Sequence, residues 1–142
     1  MESTVQTAIV KWTGGEEFVA TMPSGHAVPF DADRKHNAAP GPMEMLLGAL
    51  GACTSVDVAM ILAKKRQKLE SLEVSVSGER ASDPPQVWTK IEMVFRLGGK
   101  LDDKAVRDAI ELSQSKYCSV AAMLRKTAAI TYRYEINLTQ RK

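Results

Sequence analysis

Two cysteines are the residues of this sequence best suited to covalent chemistry. Cys53 ends the stretch PMEMLLGALGAC, and Cys118 lies in SKYCSV, 65 positions further on. This spacing fits neither a CxxC redox motif nor a zinc site, so joint chemistry requires that the fold bring the two thiols together. Free cysteines also pack as small buried hydrophobes, and that structural interpretation stays open for both.

The surroundings of Cys53 are small and apolar except for one charge. Gly48 and Gly51 leave the helix surface beside the sulfur open to close approach. Asp57 follows one helical turn later on the same face, where its carboxylate would disfavour a thiolate. A reactive Cys53 therefore needs positive charge from another part of the chain. The candidate cations are Arg34, Lys35, Lys116 and Arg125.

Cys118 is predicted to lie where one helix ends and a short second helix begins. N–H groups at a helix N-terminus stabilise a thiolate, and Arg125 shares the same face seven residues on. Glu44 lies about half a revolution round the helix and roughly 13 Å along it from Cys53, so it is not a local partner of that thiol. A first-turn carboxylate also stabilises a helix N-terminus, and this interpretation of Glu44 stays open.

The two histidines, His26 and His36, fall in turn or loop contexts without a second ligand at metal spacing. Both are predicted to be surface residues. The sequence indicates neither a metal ion nor a cofactor, and none is predicted.

The first part of the chain predicts three short strands, a loop and a long helix. The strands cover residues 5–12, 18–22 and 27–30, and glycine-containing turns separate them. Residues 31–42 combine charges with two prolines and a glycine, which is typical of a loop. Residues 43–66 lack proline and are apolar on all sides, so they predict a helix buried on most of its circumference.

The rest of the chain predicts a strand hairpin, two helices and a final strand. Alternation of apolar and polar residues indicates the strands, and Asp102 and Asp103 cap the first of the helices. The order is therefore β-β-β-α-β-β-α-α-β, an α+β fold with antiparallel sheet in one domain over residues 1–142. The predicted bounds are strands 72–77 and 87–96, the second ending at Gly98-Gly99, a helix from Asp103 toward Tyr117, a helix over 118–126 and a strand over 130–138.

The long apolar helix also predicts a second copy of the chain. A helix this apolar is hard to cover within one small domain, so a homodimer is expected. Its composition is close to that of a membrane span, but Asp57 in its middle would cost about 2.5 to 3.5 kcal/mol in lipid, and Lys64 follows directly. No membrane location is predicted.

Composition places the chain among compact globular proteins. The 142 residues are 44% hydrophobic and 25% charged. A net charge of +2 and only eight aromatic residues argue against a nucleic acid partner. The first residues lack a long apolar segment, so no secretory signal is predicted and the expected location is the cytoplasm.

Two motifs together resemble the OsmC/Ohr family of osmotically inducible and organic hydroperoxide resistance proteins. They are Pro-x-Glu followed by an apolar run to Gly-x-Cys, and Lys-Tyr-Cys-Ser-Val. The resemblance, to a less-characterised OsmC-like branch, implies an intertwined homodimer in which sheets from both chains wrap two long central helices. It also implies a cofactor-free thiol peroxidase in which Cys53 attacks an organic hydroperoxide, Cys118 resolves the product as a disulfide, and a dithiol reduces that disulfide.

The sequence departs from the well-studied peroxidases of this family near the first cysteine. In those proteins a glutamate directly follows the proline and an arginine follows an early Gly-Gly, whereas Met43 and Glu16 hold these places here. Arg34, in the loop before the helix, is the predicted replacement cation, with Glu44 holding it. The predicted catalytic residues are thus Cys53, Cys118, Glu44 and Arg34, and the predicted apolar substrate pocket is formed by Met43, Met45, Leu46 and Leu50.

Two other functions would use the same scaffold. A non-catalytic binding protein would hold a small apolar or thiol-bearing ligand in the pocket, and Glu16 in place of arginine favours it. A thiol-based redox sensor would use the same cysteines toward a protein partner without turnover. The preferred prediction is the enzyme, a peroxiredoxin-like organic hydroperoxide reductase.

Overall fold

The computed structural model describes residues 4–137, and the chain divides into two compact units, Met1–Leu46 and Leu47–Lys142. The predicted order of elements is confirmed, with a π-helical segment added between the last two helices. The α+β class is confirmed with it. The prediction that residues 1–142 form one domain stays a prediction.

The first unit contains an antiparallel meander of three strands, β1 (Ile9–Gly14), β2 (Glu17–Thr21) and β3 (Ala27–Asp31). Gly14 and Gly15 turn the chain between β1 and β2 with φ angles of 128° and 53°, which glycine adopts without a Cβ clash. β1 begins at Ile9 and not at Val5 as predicted. The reason is that β2 ends at Thr21, which pairs with Ile9, so the pairing of β1 with β2 begins at Ile9.

The loop after β3 is ordered by side chains that bond its backbone. The Asp31 carboxylate is fully buried and accepts the N–H groups of Asp33 and Ala38, each at 2.9 Å. The Arg34 guanidinium donates to the carbonyl oxygens of Asp31 and Ala39. The predicted loop therefore has a fixed structure that holds Arg34 in place.

The long helix, α1, covers Pro42–Lys64. At its start the Glu44 carboxylate accepts the N–H group of Gly41 at 2.9 Å. Glu44 therefore has the stabilising role at the helix N-terminus that the sequence left open. The fully buried residues of the helix form one stripe, namely Leu50, Thr54, Val58 and Leu62.

Much of the rest of α1 is less buried within one chain than predicted. Val56 and Met60 are 62% and 58% exposed. By length and composition the helix could cross a membrane, with a mean hydropathy of 1.9 over an 18-residue window of which 28% is buried. Thr54 and Asp57 in its middle bond residues 114 and 113, which favours a helix packed in a protein core.

The second unit contains a three-stranded sheet in the order β4 (Ser71–Arg80), β5 (Trp88–Gly98), β6 (Ala129–Asn137). β4 and β5 are antiparallel, but β5 and β6 are parallel, which corrects the prediction of antiparallel sheet for that pair. The reason is the long helical connection between β5 and β6, which returns the chain to the same end of the sheet. Leu138, predicted to end the last strand, lies outside the described residues.

Three helical segments form this connection, namely α2 (Asp103–Leu112), a π-helical segment (Ser113–Tyr117) and α3 (Ser119–Leu124). Asp102 caps α2 as predicted, because its carboxylate accepts the Ala105 N–H group at 3.0 Å. The last turn is wider than an α-helical turn. The Cys118 N–H group bonds the carbonyl oxygen of Ser113, five residues back, at 2.8 Å.

Candidate active site

The fold brings the two cysteines together within the second unit. Cys53 lies on α1 and is half-buried, whereas Cys118 caps the N-terminus of α3 and is 3% exposed. Both are free thiols. The presence of Cys53 raises the pKa of the Cys118 thiol, so the two side chains lie close enough to interact. Cys53 is therefore the more accessible sulfur and Cys118 the enclosed one.

Burial is the largest influence on Cys118, and it raises the pKa of the thiol above its usual value. Two donors oppose burial, since Thr54 Oγ1 and the Ala121 N–H group each lie 3.3 Å from Cys118 Sγ. Cys53 adds to the increase. The sequence predicted that a helix N-terminus favours the thiolate at this position. That prediction was wrong, because burial raises the pKa of Cys118 more than the two donors lower it.

Thr54 and Gln114 are site residues that the sequence reasoning missed. Gln114 Nε2 donates to Thr54 Oγ1 at 3.0 Å, and the Thr54 hydroxyl donates in turn to Cys118. Both side chains are buried, with 0% and 5% exposure. The sequence positions of Thr54 and Gln114 could have identified them as site residues. Thr54 directly follows Cys53, and Gln114 precedes Cys118 by about one helical turn.

One face of α1 is open at its small residues, although Cys53 does not line this opening, so the predicted access to its sulfur stays a prediction. Gly48, Gly51 and Ala52 line a cavity of about 330 Å³ together with residues of β4. Gly51 also lets the helix approach this strand, because an added Cβ would lie only 3.2 Å from Val76.

Three charged side chains of the second unit were candidates for tuning the first thiol, and each has a partner. Asp57 accepts a hydrogen bond from the Ser113 hydroxyl at 2.8 Å. Arg125 donates to the carbonyl oxygen of Gln114 at 2.7 Å. Lys116 holds its ammonium group 5.2 Å from the centre of the neighbouring tyrosine ring. Each of these charged groups is thus held by a contact with an uncharged group of the second unit.

In the first unit the structure brings Arg34 and Glu44 together. Arg34 Nη1 lies 3.7 Å from Glu44 Oε2. The two side chains are 51% and 54% exposed, so water screens much of their attraction. The predicted action of this pair on Cys53 stays a prediction.

The predicted pocket residues differ in burial. Met43 and Met45 are half-buried, and Leu46 is 37% exposed. Leu50 is fully buried and belongs to the core stripe of α1. Their contact with a substrate stays a prediction.

His36 forms a cluster with two carboxylates of the first unit. Its Nδ1 atom lies 2.9 Å from Asp31 Oδ2 and 3.1 Å from Glu17 Oε2. Sequence spacing missed this cluster because the pairing of β2 with β3 places Glu17 opposite Asp31. The possible ligand atoms lie within 4.8 Å of one another, close enough for a metal ion, but the histidine already pairs with both carboxylates. The absence of a metal stays a prediction.

Raising the pH is expected to weaken this cluster. The hydrogen bond to Asp31, followed by the charge of Glu17, raises the pKa of His36 above its usual value. A raised histidine pKa contributes stability that is complete below about pH 6.5 and is lost as the pH rises through the folded-state pKa. The melting temperature of the unaltered protein should therefore fall more steeply between about pH 6 and 8 than that of His36→Gln.

His26→Gln is the matched control for this measurement. The His26 ring contacts the Ser24 hydroxyl at 2.9 Å, so its replacement leaves the carboxylate cluster intact and should preserve the pH slope of the unaltered protein. Equal slopes for all three proteins would contradict the prediction.

The geometry defines a class of protein, an α+β chain with one accessible thiol beside one enclosed thiol that accepts hydrogen bonds. The chain belongs to the OsmC-like protein family, whose model matches residues 35–133. The resemblance seen in the sequence motifs is thereby confirmed.

Relatives cover nearly the whole chain. Protein YhfA of Escherichia coli strain K12 is 43% identical over 130 residues, which is 91% of this chain and 96% of YhfA. The crystal structure of a hypothetical protein from Aquifex aeolicus VF5 is 29% identical, with a TM-score of 0.87 over 99% of this chain and 100% of that one. An organic hydroperoxide resistance protein OsmC from Legionella pneumophila is 14% identical and shares the fold, with a TM-score of 0.69 over 94% and 99% of the two chains.

Proposed function

We propose that this protein is a cytoplasmic thiol peroxidase that reduces organic hydroperoxides and so protects the cell from oxidative stress. The observation that carries the proposal is the pairing of an accessible thiol, Cys53, with an enclosed thiol, Cys118, whose sulfur accepts hydrogen bonds from Thr54 and Ala121. The Legionella protein of the same fold, named for organic hydroperoxide resistance, supports it.

The first step consumes the hydroperoxide. The Cys53 thiolate attacks a peroxide oxygen, so an S–O bond forms and the O–O bond breaks. The sulfur loses two electrons and becomes a sulfenic acid. The alkoxide that leaves takes up a proton and departs as the alcohol.

The second step forms a disulfide. The Cys118 thiolate attacks the Cys53 sulfur, so an S–S bond forms, the S–O bond breaks, and hydroxide leaves with a proton as water. A dithiol then returns both cysteines to thiols by exchange and is itself oxidised to a disulfide. These steps need no cofactor.

The proposal includes a homodimer. The exposed apolar side chains of α1, among them Val56 and Met60, are the surface that a second copy would cover. The apolar pocket predicted from Met43, Met45, Leu46 and Leu50 would favour alkyl peroxides over hydrogen peroxide.

Treating the reduced protein with cumene hydroperoxide tests the proposed function. Mass spectrometry should find an intramolecular disulfide between Cys53 and Cys118, and an added dithiol should sustain continued loss of the peroxide. Disulfide formation without turnover would indicate the redox sensor instead. Thiols that stay unreacted would exclude both and leave the binding protein.

Arg34→Ala is expected to slow sulfenic acid formation by about tenfold or more, because the proposed role of this cation is to favour the charged form of the Cys53 thiol. The rate is measured by mass spectrometry of samples quenched after addition of excess cumene hydroperoxide. Arg133→Ala is the matched control, since it removes another exposed arginine that pairs with a glutamate, Glu135, at 3.4 Å. An unchanged rate in Arg34→Ala would remove Arg34 from the site.

A further inference from the structure

The hydrogen bonds that lead to Cys118 run in one direction. Thr54 has a single hydroxyl proton, and its oxygen accepts the Gln114 amide N–H at 3.0 Å. The hydroxyl proton is therefore directed at Cys118 Sγ, 3.3 Å away. Gln114, Thr54 and Cys118 thus form a relay of donors that ends on the enclosed sulfur.

The two polar atoms of the buried Gln114 side-chain amide differ in their hydrogen bonding. Its Nε2 atom bonds Thr54, whereas its Oε1 atom has no hydrogen-bond partner among the residues that the structure describes. A buried carbonyl oxygen without a donor destabilises a fold. An apolar residue at this position would avoid that cost, so the amide N–H group has a role beyond stability.

Gln114 also removes an alternative for the Thr54 hydroxyl. A threonine inside a helix can donate to the carbonyl oxygen four residues earlier, which here belongs to Leu50. If the hydroxyl rotated in that way, Cys118 would lose one of its two donors. The amide of Gln114 favours the rotation in which the Thr54 hydroxyl donates its hydrogen bond to Cys118 Sγ.

We propose that Gln114 is a positioning residue for disulfide formation. By donating to Thr54 it keeps the Thr54 hydroxyl directed at Cys118 Sγ, and this hydrogen bond helps the enclosed sulfur to react as a thiolate. The purpose of the relay rests on the proposed peroxidase function, whereas its effect on the Cys118 thiol does not. The two are tested separately.

Other titratable and charged groups around the relay come from five elements, and two of these groups, Glu111 on α2 and Tyr132 on β6, line a cavity together with Gln114. Cys53 and Asp57 lie on α1, Lys116 lies in the π-helical segment, and Arg125 lies at the end of α3. Asp57 and Arg125 are bonded to residues 113 and 114. The variants below leave all of them unchanged, apart from Cys53 where its removal is stated.

Titration of Cys118 tests the inference without a peroxide. In the Cys53→Ser protein Cys118 is the one remaining cysteine, and subtracting the titration of the Cys53→Ser/Cys118→Ser protein removes the tyrosine signal, so the remaining ultraviolet absorbance reports the Cys118 thiolate. Adding Gln114→Glu should raise the apparent pKa of Cys118 by about one unit or more, because a carboxylate of the same shape accepts the Thr54 proton.

Two further variants separate the relay from the new charge. Thr54→Val removes the hydroxyl without adding charge and should raise the apparent pKa of Cys118 in the same direction. Thr54→Ser keeps the hydroxyl and should restore most of the original value. Gln114→Leu replaces Gln114→Glu if the carboxylate prevents folding, and an increase in the same direction is expected.

The rate of disulfide formation gives a second readout in the protein with both cysteines. After addition of cumene hydroperoxide, quenched samples of Gln114→Glu should form the Cys53 sulfenic acid at the unaltered rate. They should convert it to the disulfide about threefold more slowly, since a rise of one pKa unit lowers the thiolate fraction about tenfold while the more basic thiolate is about threefold more nucleophilic. Ser115→Ala is the matched control, because the Ser115 hydroxyl bonds the Glu111 carbonyl oxygen and not the relay.

The two hypotheses fail in different ways. An unchanged titration of Cys118 in the Gln114 variants would overturn the inference, even if Thr54→Val shifted it. If the unaltered protein formed no sulfenic acid, the peroxidase proposal would fail, and the titration would still decide the inference.

Discussion

Cys53→Ser is expected to lower the rate of organic hydroperoxide reduction by about a thousandfold or more. A hydroxyl is a far weaker nucleophile than a thiolate at neutral pH, and loss of the nucleophile removes covalent catalysis. Cys53 is half-buried whereas Cys118 is 3% exposed, so the remaining thiol cannot readily take over the attack. The measurement is the loss of cumene hydroperoxide in the presence of excess dithiol.

Cys118→Ser is the matched variant, because it makes the same replacement of sulfur by oxygen at the other thiol. Without added reductant it should react once and stop at the sulfenic acid of Cys53, which dimedone would trap. The roles assigned to the two cysteines would be wrong if Cys53→Ser kept its rate. They would also be wrong if Cys118→Ser left Cys53 unoxidised.

Met60→Lys is expected to convert the proposed dimer into a monomer. Met60 is 58% exposed within one chain and lies on the apolar helix that a second copy would cover. An unpaired charge buried in such an interface costs several kcal/mol, and about 3 kcal/mol already weakens a dissociation constant more than a hundredfold. Sedimentation velocity over a range of protein concentrations measures the change.

Met123→Lys provides the comparison for this experiment. Met123 is 74% exposed and lies on α3, so the same substitution is made on a different helix of the second unit. This variant should stay dimeric. A dimeric Met60→Lys protein, or an unaltered protein that is already a monomer, would contradict the proposed interface.

The fold could be predicted where each element carries its own pattern. Alternation over residues 87–96 predicted β5, and the carboxylate of Asp102 marked the start of α2. The parallel pairing of β5 with β6 could not be predicted in this way, because alternation is the same in both orientations and the direction depends on the connecting helices. The wide turn before Cys118 rests on backbone hydrogen bonds between residues five apart, such as the bond from Cys118 to Ser113, which side-chain periodicity does not reveal.

Residue type and family motifs predicted the two cysteines of the candidate site but not the polar residues around them. Cysteine is a rare and reactive residue type, and the resemblance to a known family paired Cys53 with Cys118. Thr54 and Gln114 are polar residues with many roles, and their contact joins positions 60 residues apart. The same limit applies to His36, whose two carboxylate partners become neighbours through strand pairing.

The sulfur of Cys118 is also part of the scaffold, since it accepts the Ala121 N–H group in the first turn of α3. Burial raises the pKa of this thiol, so the reduced sulfur accepts that hydrogen bond as a neutral thiol, as weakly as a neutral disulfide sulfur would. Oxidation would therefore leave this hydrogen bond little changed, while the new disulfide ties the beginning of α3 to α1. The redox state would then change how firmly this part of the backbone is held. A reducing partner would meet a different surface on the oxidised form without having to reach the buried sulfur first.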